Sequence, residues 1–514
     1  MLKLKTSPPP WRPQPLLYEV NARVWLRELS RNYRKLVTLA TVPPSEVEAW
    51  ASLGIDGIWL MGVWKISRVS QAMAREEQKI SEVYGRFLPD IAPSDLTGSP
   101  YAVAGYEVEP ILGGERGLIR FRQLLHQLGL KLILDFVPNH LALDHPWLFQ
   151  HPDYFVRGSR EESRRDPQTW FRREIRGKLH LFAHGKDPFF PSWRDTVQLN
   201  YGSAEVRSAM RQLLQRIASL CDGVRCDMAM LLLNKVFHNT WGERRAGSRK
   251  LPPKEEFWVE AVAEVKQIFP NFLFLAEAYW GLEWELQQLG FDYTYDKLLY
   301  DRLRDNDLEG VRKHLEGDPS YQIHTCRFLE NHDEERSAAI FGPHRSKACA
   351  LLTATSLGMK LFHDGQFEGR RLKVPVQLSR RPLEEVDGDL QQFYKTLLKE
   401  TSDPIYHEGE WKFCATRAAP EDEEAPTEIF SSFWRKETRR RLSVINLGKE
   451  KAKGILSLPI EALPDGVWQF RDLFGEASFE KPGKELISHG LEIELDAYGF
   501  RLFEVTMRAG TVPL

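Results

Sequence analysis

The sequence has few cysteines, no strong charge of either sign and no long apolar run. Its five cysteines, at positions 221, 226, 326, 349 and 414, are odd in number and form no CxxC pair. This argues against a disulfide framework and predicts reduced thiols in a cytoplasmic protein. A formal charge of −2 gives no reason to expect a nucleic-acid partner. No apolar stretch approaches the roughly 20 residues that span a bilayer, so no membrane partner is expected either. The opening "MLKLKTSPPPWRPQPLLYEV" carries lysines but lacks the apolar centre of a signal peptide. No internal repeat is evident.

What the chain does have is alternation. Its 514 residues exceed one small core, so more than one domain is expected. Eight short apolar runs, at 16–26, 55–64, 131–140, 222–230, 272–280, 291–296, 324–334 and 360–367, read as strands. Helical patterns separate them. In "SAEVRSAMRQLLQRIASL", Val206, Met210, Leu213, Leu214, Ile217 and Leu220 share one face, and Ser203 is placed to cap it. Strand–helix alternation implies a parallel sheet, and eight units imply an α/β fold of the (β/α)8 TIM-barrel kind. The barrel is expected over 1–140 and 201–400, with 141–200 inserted after the third strand. That insertion is rich in aromatics and charge ("DPFFPSWRDTVQLNY") and reads as an irregular subdomain shaping a site. Residues 401–514, with pieces such as "LEIELDAYGFRLFEV", read as an antiparallel β-sandwich domain.

Functional side chains of such a barrel collect at the C-terminal ends of its strands. Four ends carry charge: "LILDFVPNH" brings Asp135, Asn139 and His140, "DGVRCDMAM" brings Arg225 and Asp227, "FLAEAYW" brings Glu277, and "FLENHDEER" brings His332 and Asp333. Residues two apart share a strand face, so Arg225 and Asp227 point the same way, opposite Cys226, which is expected to pack. Taken singly, each has a structural explanation: an ion pair, a solvated strand end, a core histidine. Three acids, an arginine and two histidines around one mouth point to glycosidic-bond chemistry. One carboxylate attacks the anomeric carbon and a protonated carboxyl donates to the leaving oxygen, the two about 5–5.5 Å apart in a retaining enzyme. Arg225 is expected to lower the pKa of Asp227, and the apolar flank of Glu277 to raise that of Glu277. Trp64, Trp280 and Phe367 stand at strand ends where a sugar platform is conceivable, although core packing is the ordinary role of such aromatics.

The segments "DFVPNH", "GVRCDMAM", "AEAYW" and "ENHDEE", in that order, resemble the four signature regions of the α-amylase family of glycoside hydrolases. "GSPYAVAGYEVEPILGG" resembles the segment after that family's second strand. The resemblance implies Asp227 as nucleophile, Glu277 as general acid/base and Asp333 as the third acid, which holds sugar hydroxyls. Arg225 would orient Asp227, with Asp135 supporting it. His140 and His332 would bind hydroxyls of the donor sugar and Tyr101 would stack beneath it; independently of the resemblance, Trp280, as a strand-end aromatic, is a candidate substrate contact. No cofactor is required. Asn139 matches a position that often ligates a structural calcium in the family; Asp153, Asp187 and Asp195 of the insertion are acidic candidates to accompany it but match no family ligand position, which leaves a purely structural role for Asn139 open.

Two departures stand out. "MAMLLLN" after Asp227 replaces the Ala-x-Lys-His with which many starch-cleaving endo-amylases grip the +2 sugar. Gly105 stands where relatives often have aspartate. The leading expectation is a retaining hydrolase of α-1,4-linked glucans or maltooligosaccharides. The alternative is a transglycosylase or isomerase of the same family. A non-catalytic carbohydrate-binding or transporter-partner protein is disfavoured, because all three acids are present.

Overall fold

A computed structural model describes residues 10–76, 85, 88–242, 255–419, 424–459 and 466–508. The first nine residues, and with them most of the lysine-containing leader, lie outside the described residues. Eight parallel strands close into a barrel: β1 Leu16–Asn21, β2 Gly57–Met61, β3 Lys131–Phe136, β4 Gly223–Cys226, β5 Leu273–Ala276, β6 Tyr293–Tyr295, β7 Thr325–Arg327 and β8 Met359–His363. The first seven fall within the predicted runs, and β8 starts one residue before the run predicted at 360–367. Neighbours in sequence are neighbours in the barrel, and β8 pairs with β1 to close it, Leu16 opposite Lys360. All eight strands are buried or nearly so, which is why their sequences read as apolar runs rather than alternating ones.

Helices sheathe the barrel as the 3.6-residue period requires. The helix Ala204–Ala218 begins where Ser203 accepts a hydrogen bond from the Val206 amide at 3.4 Å. It buries Val206, Met210, Leu214 and Ile217, while Leu213 is only partly covered. The excursion after β3 leaves and returns through one antiparallel pair, His140–Ala142 against Thr196–Gln198. Between them lies a hairpin, Trp170–Ile175 with Lys178–Ala183.

Beyond the helix Gly388–Thr401 come two antiparallel sheets. The six-stranded sheet has the order Glu410–Phe413, Ile429–Lys436, Arg439–Asn446, Phe500–Met507, Val467–Asp472, Ser478–Pro482. The three-stranded sheet comprises Thr416–Arg417, Ala452–Leu456 and Leu491–Leu495. Ile429, Phe433, Val444, Trp468, Leu491 and Leu495 fill the space between them, as a sandwich demands. The other face of the larger sheet packs on the barrel: Phe430, Trp434 and Ile445 join the barrel's own core, and the Trp434 indole donates to the Thr355 carbonyl at 2.6 Å. All five cysteines are free and buried. No helix among the described residues is long and apolar enough to cross a membrane.

Candidate active site

The ladder that joins β3, β4 and β5 runs past the strand ends. The Asp227 amide donates to the Phe136 carbonyl at 2.8 Å and the Glu277 amide to the Cys226 carbonyl at 3.0 Å. These bonds hold both acids at fixed height on adjacent strands. The chain then turns sharply through left-handed conformations at Met228 (φ 44°) and Trp280 (φ 64°). Such conformations cost a non-glycine residue about 1–2 kcal/mol and persist where the surroundings impose them. The turn at Met228 is productive, for its amide donates to Glu277 Oε2 at 2.6 Å. On β7's exit, Asn331 Oδ1 accepts from the Asp333 and Glu334 amides at 2.9 and 3.0 Å, a side-chain-built turn that presents His332 and Asp333 to the mouth.

Arg225 is the hub. Fully buried, it lies 2.6 Å from Asp227 Oδ1, 2.7 Å from Glu277 Oε2 and 3.6 Å from Asp135 Oδ1. The bond to Asp227 is a well-formed hydrogen bond. The approach to Glu277 is a close charge contact whose angle does not make one. Its guanidinium sits 5.2 Å from the ring centres of Trp59 and Tyr101 and 5.7 Å from that of Tyr295, a cage of aromatic faces that suits a cation removed from water. Three carboxyls facing one guanidinium cannot all ionise cheaply, and their pKa values separate accordingly.

Burial raises Glu277, Asp227 and Asp333 add to that, and Arg225 and the Tyr279 hydroxyl pull it down, leaving it at about 7. Burial likewise pushes Asp135 up to about 7. Asp227 is also raised by burial, against the opposing pull of Arg225. This corrects the expectation that Arg225 would bring Asp227 below its ordinary value: the attraction is present, but loss of water outweighs it. Asp333 goes the other way. Its side chain is 45% exposed and its carboxylate is 2.9 Å from His332 Nε2, so His332 and Arg225 hold it well below the usual range despite some desolvation. His332 loses water too, yet Asp333 and Glu19 raise it to about 10, Glu19 Oε1 lying 2.5 Å from Nδ1. Burial lowers His140 to about 4, so its ring is neutral near pH 7.

Tyr101, from the connection after β2, lays its ring against His332 (5.2 Å, 23°) with its hydroxyl 2.8 Å from Nε2. A cleft of about 950 Å³ opens over this group, lined by Tyr101, His140, Asp227, Glu277, Asp333 and Trp280 among others. Of the expected substrate contacts, Arg225 and His332 lie just beneath that surface. Trp280 is 39% exposed and meets Phe189 edge-on at 4.8 Å. Asp187 accepts from the Phe189 and Phe190 amides at 2.6 and 2.9 Å, a turn of the inserted segment that sets Phe189 against Trp280 and Phe190 in the cleft lining. Trp64 and Phe367 are core residues: the Trp64 indole donates to the Asp135 carbonyl at 2.8 Å, and Phe367 stacks on Tyr18. Cys226 packs fully buried. After Met228, which lines the cleft, Ala229–Leu232 forms a buried short helix.

The residues at Asn139 do not fit a calcium ion. Gln198 Nε2 donates to both the Asn139 carbonyl and Oδ1, each at 2.9 Å, so an N–H group occupies the oxygens a cation would need. Asp153 pairs with Arg157, Asp187 builds the turn just described, and Asp195 accepts from Ser70. Among the described residues no cluster of three or more His, Cys, Asp or Glu side chains is arranged to hold a metal.

Sequence reasoning missed Glu19, Tyr279 and Gln198. Glu19 carried the signal that revealed Arg225, a charge inside a buried strand. Tyr279 shares strand parity with Glu277. Nothing local marked Gln198.

A family model described as "Alpha amylase, catalytic domain" matches residues 47–373. The chain belongs to the alpha-amylase family. It is 24% identical over 375 residues to the alpha-amylase MalA of Haloarcula japonica, covering 71% of this chain and 45% of that protein. It is 22% identical over 315 residues to Alpha-amylase 3 of Dictyoglomus thermophilum, covering 57% of each. The chain thus spans about half the length of these curated relatives. In fold it is similar to a maltogenic alpha-amylase from Thermotoga neapolitana, with a TM-score of 0.66 at 18% identity, covering 96% of this chain and 99% of that one.

Proposed function

We propose that this alpha-amylase-family chain is a retaining α-glycoside hydrolase acting on α-1,4-linked glucans or maltooligosaccharides. The observation that carries the reading is Arg225 held between Asp227 and Glu277, with Glu277 protonated up to about pH 7. Asp227 attacks the anomeric carbon as the glycosidic bond breaks, and Glu277 gives its proton to the departing oxygen. Glu277, now a carboxylate, takes a proton from water, whose oxygen displaces Asp227 and restores the starting configuration. Asp333, ionised and turned to the cleft, accepts from sugar hydroxyls. Tyr101 offers a ring face beneath the donor sugar, with its hydroxyl on His332, and His140, neutral, hydrogen-bonds to a hydroxyl of that sugar.

Transfer to a sugar acceptor is the second reading. The exposed rings of Phe190 and Trp280 border the cleft beside Glu277, where a departing or incoming sugar sits, and would favour an acceptor ring over water. Relatives include a maltosyltransferase of Mycobacterium tuberculosis, 24% identical over 265 residues.

Incubation with maltooligosaccharides, followed by NMR of the newborn anomeric centre, tests the reading. Shorter products with retained α-configuration are expected, and longer or rearranged ones would favour transfer. Asp227→Asn and Glu277→Gln should each lower kcat by at least about 10³-fold. Inverted products, or undiminished turnover by both variants, would refute the assignment.

A further inference from the structure

The cleft is built differently at its two ends. On the Glu277 side it is bordered by Phe190, Trp280 and Leu298, all well exposed. On the Tyr101 side its lining includes Ser99, Val376 and Gln377.

Behind those residues two connections are zipped together, one following β2 and the other following β8. The Thr97 amide donates to the Gln377 carbonyl at 2.8 Å, Leu96 and Leu378 form an antiparallel bridge, and the Ser379 amide donates to the Asp95 carbonyl at 2.9 Å. Three consecutive residues of each connection therefore make one short ribbon. It crosses over the end of β1, which stands between β2 and β8 in the barrel.

The ribbon is fastened from both sides. Leu96 and Leu378 pack with Ala74, Leu88 and Val374 in a small apolar cluster of their own. Asp95, 1% exposed, is gripped by Arg27 at 2.6 Å and Arg380 at 2.8 Å, and Arg380 also holds Asp90 with both carboxylate oxygens at 3.0 Å. Lys373, on the same connection, donates to the Asp333 carbonyl and ties the ribbon to the site.

The direction of the substrate follows from the acid. Glu277 protonates the oxygen of the leaving group, so the leaving portion lies towards Trp280 and the donor sugar lies over Tyr101 and Asp333. Further sugars on the donor side would have to pass through the ribbon, where backbone atoms are already in hydrogen-bond contact.

We propose that the ribbon of 95–97 and 377–379 ends the cleft one sugar beyond the scissile bond, so that the enzyme removes or transfers single glucosyl units from non-reducing ends. The inference rests on the function proposed above and adds to it the mode of attack and the class of substrate: oligosaccharides with a free non-reducing glucosyl end.

The test uses two substrates: maltoheptaose labelled with a fluorophore at its reducing end, and the same compound with its non-reducing end blocked by a 4,6-O-ethylidene group. The first products from the free substrate should differ from it by one glucosyl unit, and the blocked substrate should react at least about 100-fold more slowly. Comparable rates on both, or first products differing by two or more units, would overturn the inference and leave the proposed function standing. No reaction with either would overturn the proposed function, and this inference with it. Arg380→Ala, which loosens the ribbon without touching the acids, should raise the blocked-to-free rate ratio about tenfold. An unchanged ratio would show that the barrier is not this ribbon.

Discussion

Replacing Tyr279 with Phe should move the alkaline limb of the pH–rate profile upward. The Tyr279 hydroxyl donates to Glu277 Oε1 at 2.7 Å and helps to hold the carboxylate form. A hydrogen bond to a charged group is worth about 1.5–3 kcal/mol, and part of it survives when the carboxyl is protonated. Losing the charge-dependent half, about 1.4 kcal/mol, raises the pKa of Glu277 by ~1 unit. As general acid, Glu277 must carry its proton for kcat/KM to hold, so the limb should move from about 7 towards ~8. At pH 8 the parent would retain about 10% of its maximal kcat/KM and the variant about half of its own. Initial rates on maltotriose across the pH range read this directly. The stability sign is consistent. A carboxyl raised above its unfolded value contributes stability that is complete below that value and lost as pH rises through about 7. The variant should extend that window upward. A limb that stays fixed or moves down would refute the assignment of Glu277 as the acid governed by this bond.

Glu19→Gln should lower the His332 pKa from about 10, because one of its two flanking carboxylates is lost. NMR titration of the imidazole checks this, and the stability His332 contributes, complete below its unfolded pKa and lost on passing about 10, should fade at lower pH. Gln198→Ala leaves Asn139 Oδ1 without its donor in a buried place, while the Asn139 carbonyl keeps the Leu199 amide, at a cost of about 1–3 kcal/mol by urea unfolding. Chelation of divalent ions should leave the Tm of the parent unchanged, and a fall on adding EDTA would reinstate a cation at Asn139.

The parts of the fold read correctly from sequence rest on local order. Eight apolar runs became eight barrel strands because each is buried on both faces, and Ser203 caps its helix through a bond three residues along. The acids were legible for a similar reason: Arg225, Asp227 and Glu277 are charges in or beside buried strands, an arrangement that local composition alone makes conspicuous. What stayed hidden depends on distant partners. Gln198 meets Asn139 across 59 residues, and Leu378 bridges Leu96 across a far longer interval. The pKa of Asp227 was misjudged because sequence supplies its charged neighbour but not the depth at which the pair is buried.

The pairing of β1 with β8 also bears on how the protein comes into being on the ribosome. At ~5–20 residues per second, roughly 20–70 s separate the synthesis of the first barrel strand from that of its last partner. For most of that interval Glu19 waits for His332, and throughout it the edge of β1 that β8 will cover stays open. Even a closed barrel presents an uncovered apolar flank until Phe430, Trp434 and Ile445 arrive. The nascent chain thus carries an open strand edge and a half-built charge cluster for most of its synthesis.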